Sequence, residues 1–413
     1  MSTSSRRVVV TGVNGISPLG NDWPSIRAHL RSYRNAVQRI DEWDVYDGLN
    51  TKLAAPAAPF ELPSHYNRKT TRSMGRVALM AVRASELALE DAGLLGDPVL
   101  SSGRVGVSNG SSAGTHAAIG DFGRMLNEHT TAGINATTYI KMMSHTAPVN
   151  IGVFFGLTGR VITTSSACTS GSMGIGAAYE VVRAGKQLAM LAGGSEQMDA
   201  TASAVFDTLF ATSVRNDEPS LTPRPFDAAR DGLVLGEGAC TLILEDLEHA
   251  QARGARILAE IVGYGTNSDG QHVTQPSAET MGIAMQLALE DADLPPEAIG
   301  YVNAHGTATD HGDIAESKAT AQVFGSRMPF SSLKSYMGHT LGACGALEAW
   351  ITIEMMREGW FAPTLNLDNP DPRCAGLDYI VGTGRELETE YVMSNNFAFG
   401  GINTSLIFKR WRD

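Results

Sequence analysis

Short unbroken apolar runs recur along this chain, separated by longer stretches whose apolar residues return every three or four positions. The first run, Val8-Val-Val10, passes into glycines at Gly12, Gly15 and Gly20. Further runs lie at residues 104–108, 159–163, 188–192, 239–245, 255–264, 301–303, 330–332 and 405–409. Runs with no polar alternation suit strands covered on both faces. Between them, residues 71–92 place Met74, Val77, Ala78, Met80, Ala81, Ala84, Leu87 and Ala88 on one broad face that Gly93 ends, which predicts a long helix beginning at Thr71. Residues 23–35 predict a shorter helix, residues 44–64 an irregular Ala/Pro stretch, and residues 116–144 polar, Met-containing loops at the mouth of a site. Strands alternating with helices give an α/β layered fold.

At 413 residues, with 43% hydrophobic and 18% charged positions, the chain suits two ordinary domains or one large unit of two halves. A net charge of −12 argues against nucleic acid as a partner, which requires a dominant basic face. Residues 1–7 read as a short polar tail, and no run reaches the length that spans a bilayer. Cys168, Cys240, Cys344 and Cys374 show no metal-ligand spacing. A protein of a reducing compartment, most simply the cytoplasm, is expected, without membrane contact. Gly12, Gly15 and Gly20 match neither the P-loop nor the dinucleotide fingerprint, so a nucleotide cofactor is not expected.

Four stretches carry candidate chemistry. In Val161-Ile-Thr-Thr-Ser-Ser-Ala-Cys168, a β-branched run enters a tight turn of small and hydroxylated residues ahead of a helical pattern through Ile175, Ala178 and Val182. A cysteine there sits at a helix N-terminus, whose free N–H groups and dipole favour thiolate. It is either a nucleophile or a buried structural thiol. Asn303-Ala-His305-Gly-Thr-Ala308-Thr-Asp310 puts a histidine in a loop with little to pack, so it is solvated or placed for use. Lys334-Ser-Tyr-Met-Gly-His339-Thr-Leu-Gly-Ala runs a polar turn into a second Gly/Ala-rich helix, where the dipole favours a neutral histidine. Asn395-Asn-Phe397-Ala398-Phe399-Gly-Gly-Ile402 is a Gly-rich loop able to bind an oxyanion, or simply a tight turn. Each half carries a strand leading to a reactive turn, at Cys168 and at His305, a weak echo of duplication.

Taken together and in order, these stretches closely resemble the β-ketoacyl-(acyl carrier protein) synthases of the elongating type, types I and II, over nearly the whole chain. Connecting blocks at Arg224-Pro-Phe-Asp-Ala-Ala-Arg-Asp-Gly232 and Ala192-Gly-Gly-Ser-Glu196 share the likeness. The resemblance implies a thiolase-like, five-layered α-β-α-β-α fold of two similar halves, 1–250 with the cysteine and 251–413 with the histidines and lysine. It implies decarboxylative condensation of an acyl thioester on Cys168 with malonyl-acyl carrier protein in fatty acid elongation. His305 and His339 would assist decarboxylation, Lys334 would organise charge around them, and the N–H groups of Cys168 and Phe399 would form an oxyanion hole. Phe397 and Phe399 would belong to a gating loop. Arg68 and Arg72, four apart on one face at the start of the long helix, with Lys69 beside them and Arg124 as a further candidate, would dock the carrier protein. A homodimer is implied, with Asn109-Gly-Ser-Ser-Ala-Gly114 near its interface.

No metal or cofactor is implied for the chemistry, although some relatives hold a structural cation at positions matching Asn303, Glu348, Ser394 and Asn395. Ala308, Asp310, Ala398 and Ile402 depart from the family's H-G-T-S-T-P and G-F-G-G-T-N patterns, and bear on substrate range. Cys-His-His sets the chain apart from thiolases and initiating synthases, which resemble Cys-His-Cys and Cys-His-Asn arrangements. A silent partner subunit would lack Cys168. The same chemistry in a polyene or polyketide pathway is the alternative.

Overall fold

The computed structural model describes residues 5–412. Ten strands and six helices position the site. The first half supplies β1 (Val8–Ile16), α1 (Arg76–Asp91), β2 (Val105–Gly110), α2 (Thr146–Phe155), β3 (Val161–Thr164), α3 (Ser170–Arg183), β4 (Ala189–Glu196) and β5 (Gly238–Asp246). The second supplies β6 (Ala259–Ser268), α4 (Ala278–Ala292), β7 (Ile299–Asn303), α5 (Asp310–Phe324), β8 (Pro329–Ser331), α6 (Cys344–Glu358), β9 (Tyr391–Ala398) and β10 (Ile402–Arg410). With a short edge strand at Asp378–Tyr379 beyond β8, they form one eleven-stranded sheet in the order β3-β2-β4-β5-β1-β6-β10-β9-β7-β8. Counted within its own half, each set of five runs third, second, fourth, fifth, first, so the two halves repeat one topology about the antiparallel seam Val8↔Ile261 to Val10↔Ala259.

Side-chain alternation explains the layers. Leu242 and Leu244 of β5 and Val392, Leu406 and Phe408 of β9 and β10 join the cluster around α3 and α6. Ile243 turns instead to α1 and α2, while Met393 and Ile407 turn to α4 and α5. The sheet therefore folds about its seam and encloses α3 and α6 between its halves, giving helix, strand, helix, strand, helix. Small residues bring the two central helices together: a β-carbon on Gly171 would lie 2.8 Å from Gly342 O, and one on Gly345 2.6 Å from Ser172 N.

Several expectations change. The long helix begins at Arg76, and Arg68–Thr71 is a separate short turn of helix. The break falls at Gly75, where a β-carbon would collide with Thr115, so the backbone there is extended and close-packed. Residues 116–144 are mostly helical, as His116–Glu128 and Ala136–Met142, and do not line the cavity at Cys168. Of the polar start, residues 1–4 lie outside the described residues, whereas Arg6 and Arg7 are tied to Asp246 and Glu260 at 3.1 and 2.6 Å. Among the described residues, no helix is long and apolar enough to cross a membrane.

Candidate active site

The turns that open the two central helices face each other. Before α3, a 3₁₀ turn at Ala167–Thr169 follows β3, with Ala167 at φ 51°; before α6, a 3₁₀ turn at Leu341–Ala343 follows β8, with Leu341 at φ 45°. A left-handed non-glycine residue costs about 1–3 kcal/mol, so each turn persists only because its surroundings hold it. At the first turn, hydroxyls do the holding. Ser170 Oγ accepts from Ser166 N and donates to Ala167 O at 2.9 and 2.7 Å, and Thr164 Oγ1 donates to Ser170 O at 2.7 Å. The structural counterpart of the Cys168 turn is thus the Leu341–Ala343 turn, not the His305 loop that the sequence echo suggested.

Cys168 is buried, with its sulfur 2.9 Å from His339 Nε2. His339 Nδ1 accepts the Leu341 N–H at 3.3 Å, which leaves the ring proton on Nε2, facing the sulfur. His305 is set the same way. Its Nδ1 meets only donors, Lys334 Nζ at 3.1 Å and Asn396 Nδ2 at 3.4 Å, so its Nε2 also carries hydrogen. The rings stand edge to face, with centroids 5.1 Å apart. Burial and the nearby Lys334 charge push both histidines well below their ordinary range. Two neutral imidazoles therefore present N–H groups beside one thiol.

Burial works against the Lys334 ammonium, but Glu348, with Cys344 and Glu316, raises it above its ordinary range and holds it charged. Lys334 Nζ donates to Glu348 Oε1 at 2.5 Å, and Asn396 Nδ2 donates to Glu348 Oε2 at 2.7 Å. The His305 loop is fixed from behind by Glu316, whose oxygens accept the N–H groups of His305 and Gly306, each at 2.7 Å. Burial pushes the Glu316 carboxyl up to about 8 against those bonds. Asp313 likewise accepts from Ala308 N at 3.1 Å and Phe226 N at 2.7 Å, and so holds the left-handed Ala308.

The thiol itself differs from the expectation. Burial pushes Cys168 up to about 12, although Lys334 and the backbone N–H groups of Phe399 and Cys168 pull the other way. Desolvation outweighs the helix terminus, so the resting group is a thiol. Those two N–H groups, whose influence lowers the thiol, are the pair that the resemblance implied for an oxyanion hole.

Phe399 lies in the turn between β9 and β10, where Gly400 and Gly401 adopt φ 91° and 68°. Its half-buried ring packs on Phe206, with centroids 5.3 Å apart. Phe397 is buried, its ring 6.1 Å from that of His305. Cys168, His305, His339, Phe206, Phe397 and Phe399 line one cavity of about 570 Å³. Lys334 stands behind the histidines and does not line it.

Arg68, Lys69 and Arg72 are exposed, and among the described residues none of them forms an ion pair; Arg124 pairs with Asp121 at 2.7 Å. The break at Gly75 means that the three cations share a short capped turn rather than one face of a long helix.

As side-chain ligands, the implied cation positions do not form a single set. Asn303 donates to Ser394 Oγ at 3.2 Å and, with Glu348, faces the central helices. The Asn395 side chain shares its parity along β9 with Met393 and Phe397 and points to the other side. Ligand atoms of Cys168, His305 and His339 lie within 4.8 Å of one another, as do those of His305, Cys344 and Glu348. Protons on the two Nε2 atoms and the Lys334 ammonium occupy the directions a metal would need.

Glu316, Asn396 and Glu196 escaped the site reading of the sequence, and Glu348 entered it only as an implied cation position. Glu316 lies within α5 and Glu348 within α6, and a lone glutamate in a helix carries no signal of its own.

Comparisons with known proteins cover nearly the whole chain. Residues 5–250 match the family model "Beta-ketoacyl synthase, N-terminal domain" and residues 258–368 match "Beta-ketoacyl synthase, C-terminal domain". The chain is 39% identical to 3-oxoacyl-[acyl-carrier-protein] synthase 2 of Vibrio cholerae, covering 98% of this chain and 100% of that one. Among solved structures, a β-ketoacyl synthase from Burkholderia phymatum is 62% identical, with TM-score 0.98 over 98% of this chain and 100% of that one. The ishigamide ketosynthase/chain length factor is 31% identical, with TM-score 0.88 over 99% and 100%.

Proposed function

This chain belongs to the β-ketoacyl synthase family, and from that premise we propose that it elongates fatty acyl chains as a 3-oxoacyl-(acyl carrier protein) synthase. The observation that carries the reading is the pair of neutral histidines, His305 and His339, whose Nε2–H groups converge beside Cys168. The name of the full-length relatives favours fatty acid elongation over a specialised pathway, and the presence of Cys168 favours a working subunit over a silent one.

Two half-reactions follow from the geometry. In the first, Cys168 sulfur attacks the carbonyl carbon of an acyl-carrier thioester. The oxyanion meets the N–H groups of Cys168 and Phe399, and the thiol proton leaves with the carrier's sulfur. His339 Nε2–H, Lys334 and the α3 terminus stabilise the sulfur as its charge develops. In the second, the thioester oxygen of malonyl-carrier accepts from both histidines. Carbon dioxide departs, its bonding pair forms the enolate, and the enolate carbon attacks the acyl carbonyl and expels Cys168 as a thiolate, which takes a proton from water to return to the resting thiol. Lys334, held charged by Glu348, keeps His305 Nδ1 an acceptor and so keeps the proton on Nε2. Phe399 must turn aside to admit malonyl, with Phe206 as its resting partner. Mass analysis of products from malonyl-carrier and a ladder of acyl-carriers tests this: 3-oxo products two carbons longer are expected, and their absence with every acyl chain contradicts it.

The two halves, 1–250 and 251–413, are read as a duplication, which the repeated strand order supports. The four thiols are free and buried, in keeping with a reducing cytoplasm. A homodimer is supported by the outer edge of β3, where Val161 and Thr163 are exposed at the end of the sheet. An open edge of β-branched residues invites a second copy to pair with it. Val161→Lys with Thr163→Lys should therefore give monomers in sedimentation. A fully active wild-type monomer at nanomolar concentration contradicts the proposal.

Arg68, Lys69 and Arg72 offer an acidic carrier an unpaired positive surface on a chain of net charge −12. Arg68→Glu with Arg72→Glu is expected to raise KM for malonyl-carrier, roughly ten-fold at low salt if each lost contact is worth about 0.7 kcal/mol, with Tm unchanged. An unchanged KM at low salt refutes the patch.

A further inference from the structure

Glu196, at the end of β4, is buried and takes no part in the chemistry above. It is nevertheless the acceptor that joins the two halves of the site. Its Oε2 accepts from Ser112 N at 2.8 Å, Ser112 Oγ at 2.5 Å and Gly342 N at 3.0 Å. Oε1 has no partner, so every bond falls on one oxygen. Ser112 and Ala113 follow β2 in the first half, in the loop next to Ser165 of the Cys168 turn, whose hydroxyl reaches Ser112 O at 3.5 Å. Gly342 belongs to the second half and directly follows Leu341, whose N–H holds His339 Nδ1 at 3.3 Å.

The fit around Gly342 is close enough to transmit position. A β-carbon there would lie 2.8 Å from Glu196 Oε2 and 2.9 Å from both Ser111 Cα and Ser112 N. Leu341, at φ 45°, is the strained residue of this turn. A peptide held in that conformation relaxes when its anchor is lost. Relaxation would draw the Leu341 N–H from His339 Nδ1 and release the ring from the tautomer that aims its proton at the reacting atoms.

We infer that Glu196 is a positioning residue for the condensation: by gripping Ser112 and Gly342 on one oxygen, it fixes the His339 turn against the loop beside Cys168. The inference rests on the proposed function. It predicts that Glu196→Ala lowers kcat for carbon dioxide release from malonyl-carrier, because His339 is the displaced group, while KM for malonyl-carrier is unmoved. Misplacement of a catalytic group by about 1 Å costs on the order of 10²-fold, so a loss of about 10- to 100-fold is expected. Glu196→Gln should retain most of the rate, since its amide oxygen can keep the occupied position and its amide nitrogen takes the one without a partner. The pH profile adds a readout that a purely structural role leaves unchanged. Relaxation of the turn also weakens the desolvation that, with the Lys334 charge, keeps His339 neutral, so the rate of Glu196→Ala should fall towards low pH where that of the wild type stays flat.

The experiment measures labelled carbon dioxide release per alkylatable Cys168, across pH, for wild type and both variants. If Glu196→Ala does not fold, Glu196→Asp, which withdraws the oxygen by one methylene, replaces it. A lower kcat with a new acid limb, restored by Glu196→Gln, supports the inference. A wild-type rate and profile in Glu196→Ala, a loss confined to KM, or a Glu196→Gln variant as impaired as Glu196→Ala overturns it. Wild-type protein that releases no carbon dioxide overturns the proposed function instead.

Discussion

Alanine at Cys168 is expected to bring condensation down by roughly 10⁴-fold or more, the scale on which enzymes with a covalent intermediate lose rate when the nucleophile is removed. No other thiol lines the cavity to take its place. Cys344 is the near neighbour, but its sulfur is spent on the carbonyl of Cys168 at 3.2 Å, and burial raises it well above the ordinary thiol range. The variant should fold, because the hydroxyl bonds of Ser166, Thr164 and Ser170 hold the turn without the sulfur. Intact-mass measurement after incubation with acyl-carrier should show complete acylation of the wild type and none of Cys168→Ala. Acylation of the variant at any other residue contradicts the assignment.

The second large effect is expected at the histidines. His305→Ala or His339→Ala removes one of two N–H groups aimed at the developing enolate, and losing one such donor costs about 10²–10³-fold in rate. Both rings are already neutral, with burial and the Lys334 charge opposing their protonation. Decarboxylation by the wild type should therefore stay flat as pH falls through the ordinary histidine range near 6.5. An acid limb centred there contradicts the neutral-donor role. His339→Ala should also slow acylation, because its Nε2–H supports the Cys168 sulfur at 2.9 Å. His305→Ala should do so less, since it acts through the malonyl side.

How the chain folds was legible where local pattern and tertiary outcome coincide. The apolar runs became strands because they are covered on both faces, and the Gly/Ala character of the stretches after Cys168 and His339 became the close contact of α3 and α6. The start of α1 was misplaced because Gly75 is fixed by Thr115, a contact forty residues away in sequence that no local pattern announces. Cys168, His305, Lys334 and His339 stood out because each lies in a turn of small residues with little else to explain it. Their supporting carboxylates did not. Glu316, Glu348 and Glu196 look like ordinary helix or strand-end residues until folding buries them against backbone N–H groups and Lys334. Nor could the state of the Cys168 thiol be read ahead: the helix terminus is local, whereas the desolvation that outweighs it comes from Phe206, Leu233, Leu235, Leu341 and Cys344, gathered from across the chain.

The central claim is that storage of the acyl chain and removal of carbon dioxide fall to different groups in one cavity. It is tested most directly by carbon dioxide release from labelled malonyl-carrier, with no acyl donor present, in Cys168→Ala and His339→Ala side by side. The account predicts that Cys168→Ala still releases carbon dioxide, because both Nε2–H donors remain, while His339→Ala falls about 10²–10³-fold. Loss of release in Cys168→Ala as complete as in His339→Ala would contradict it.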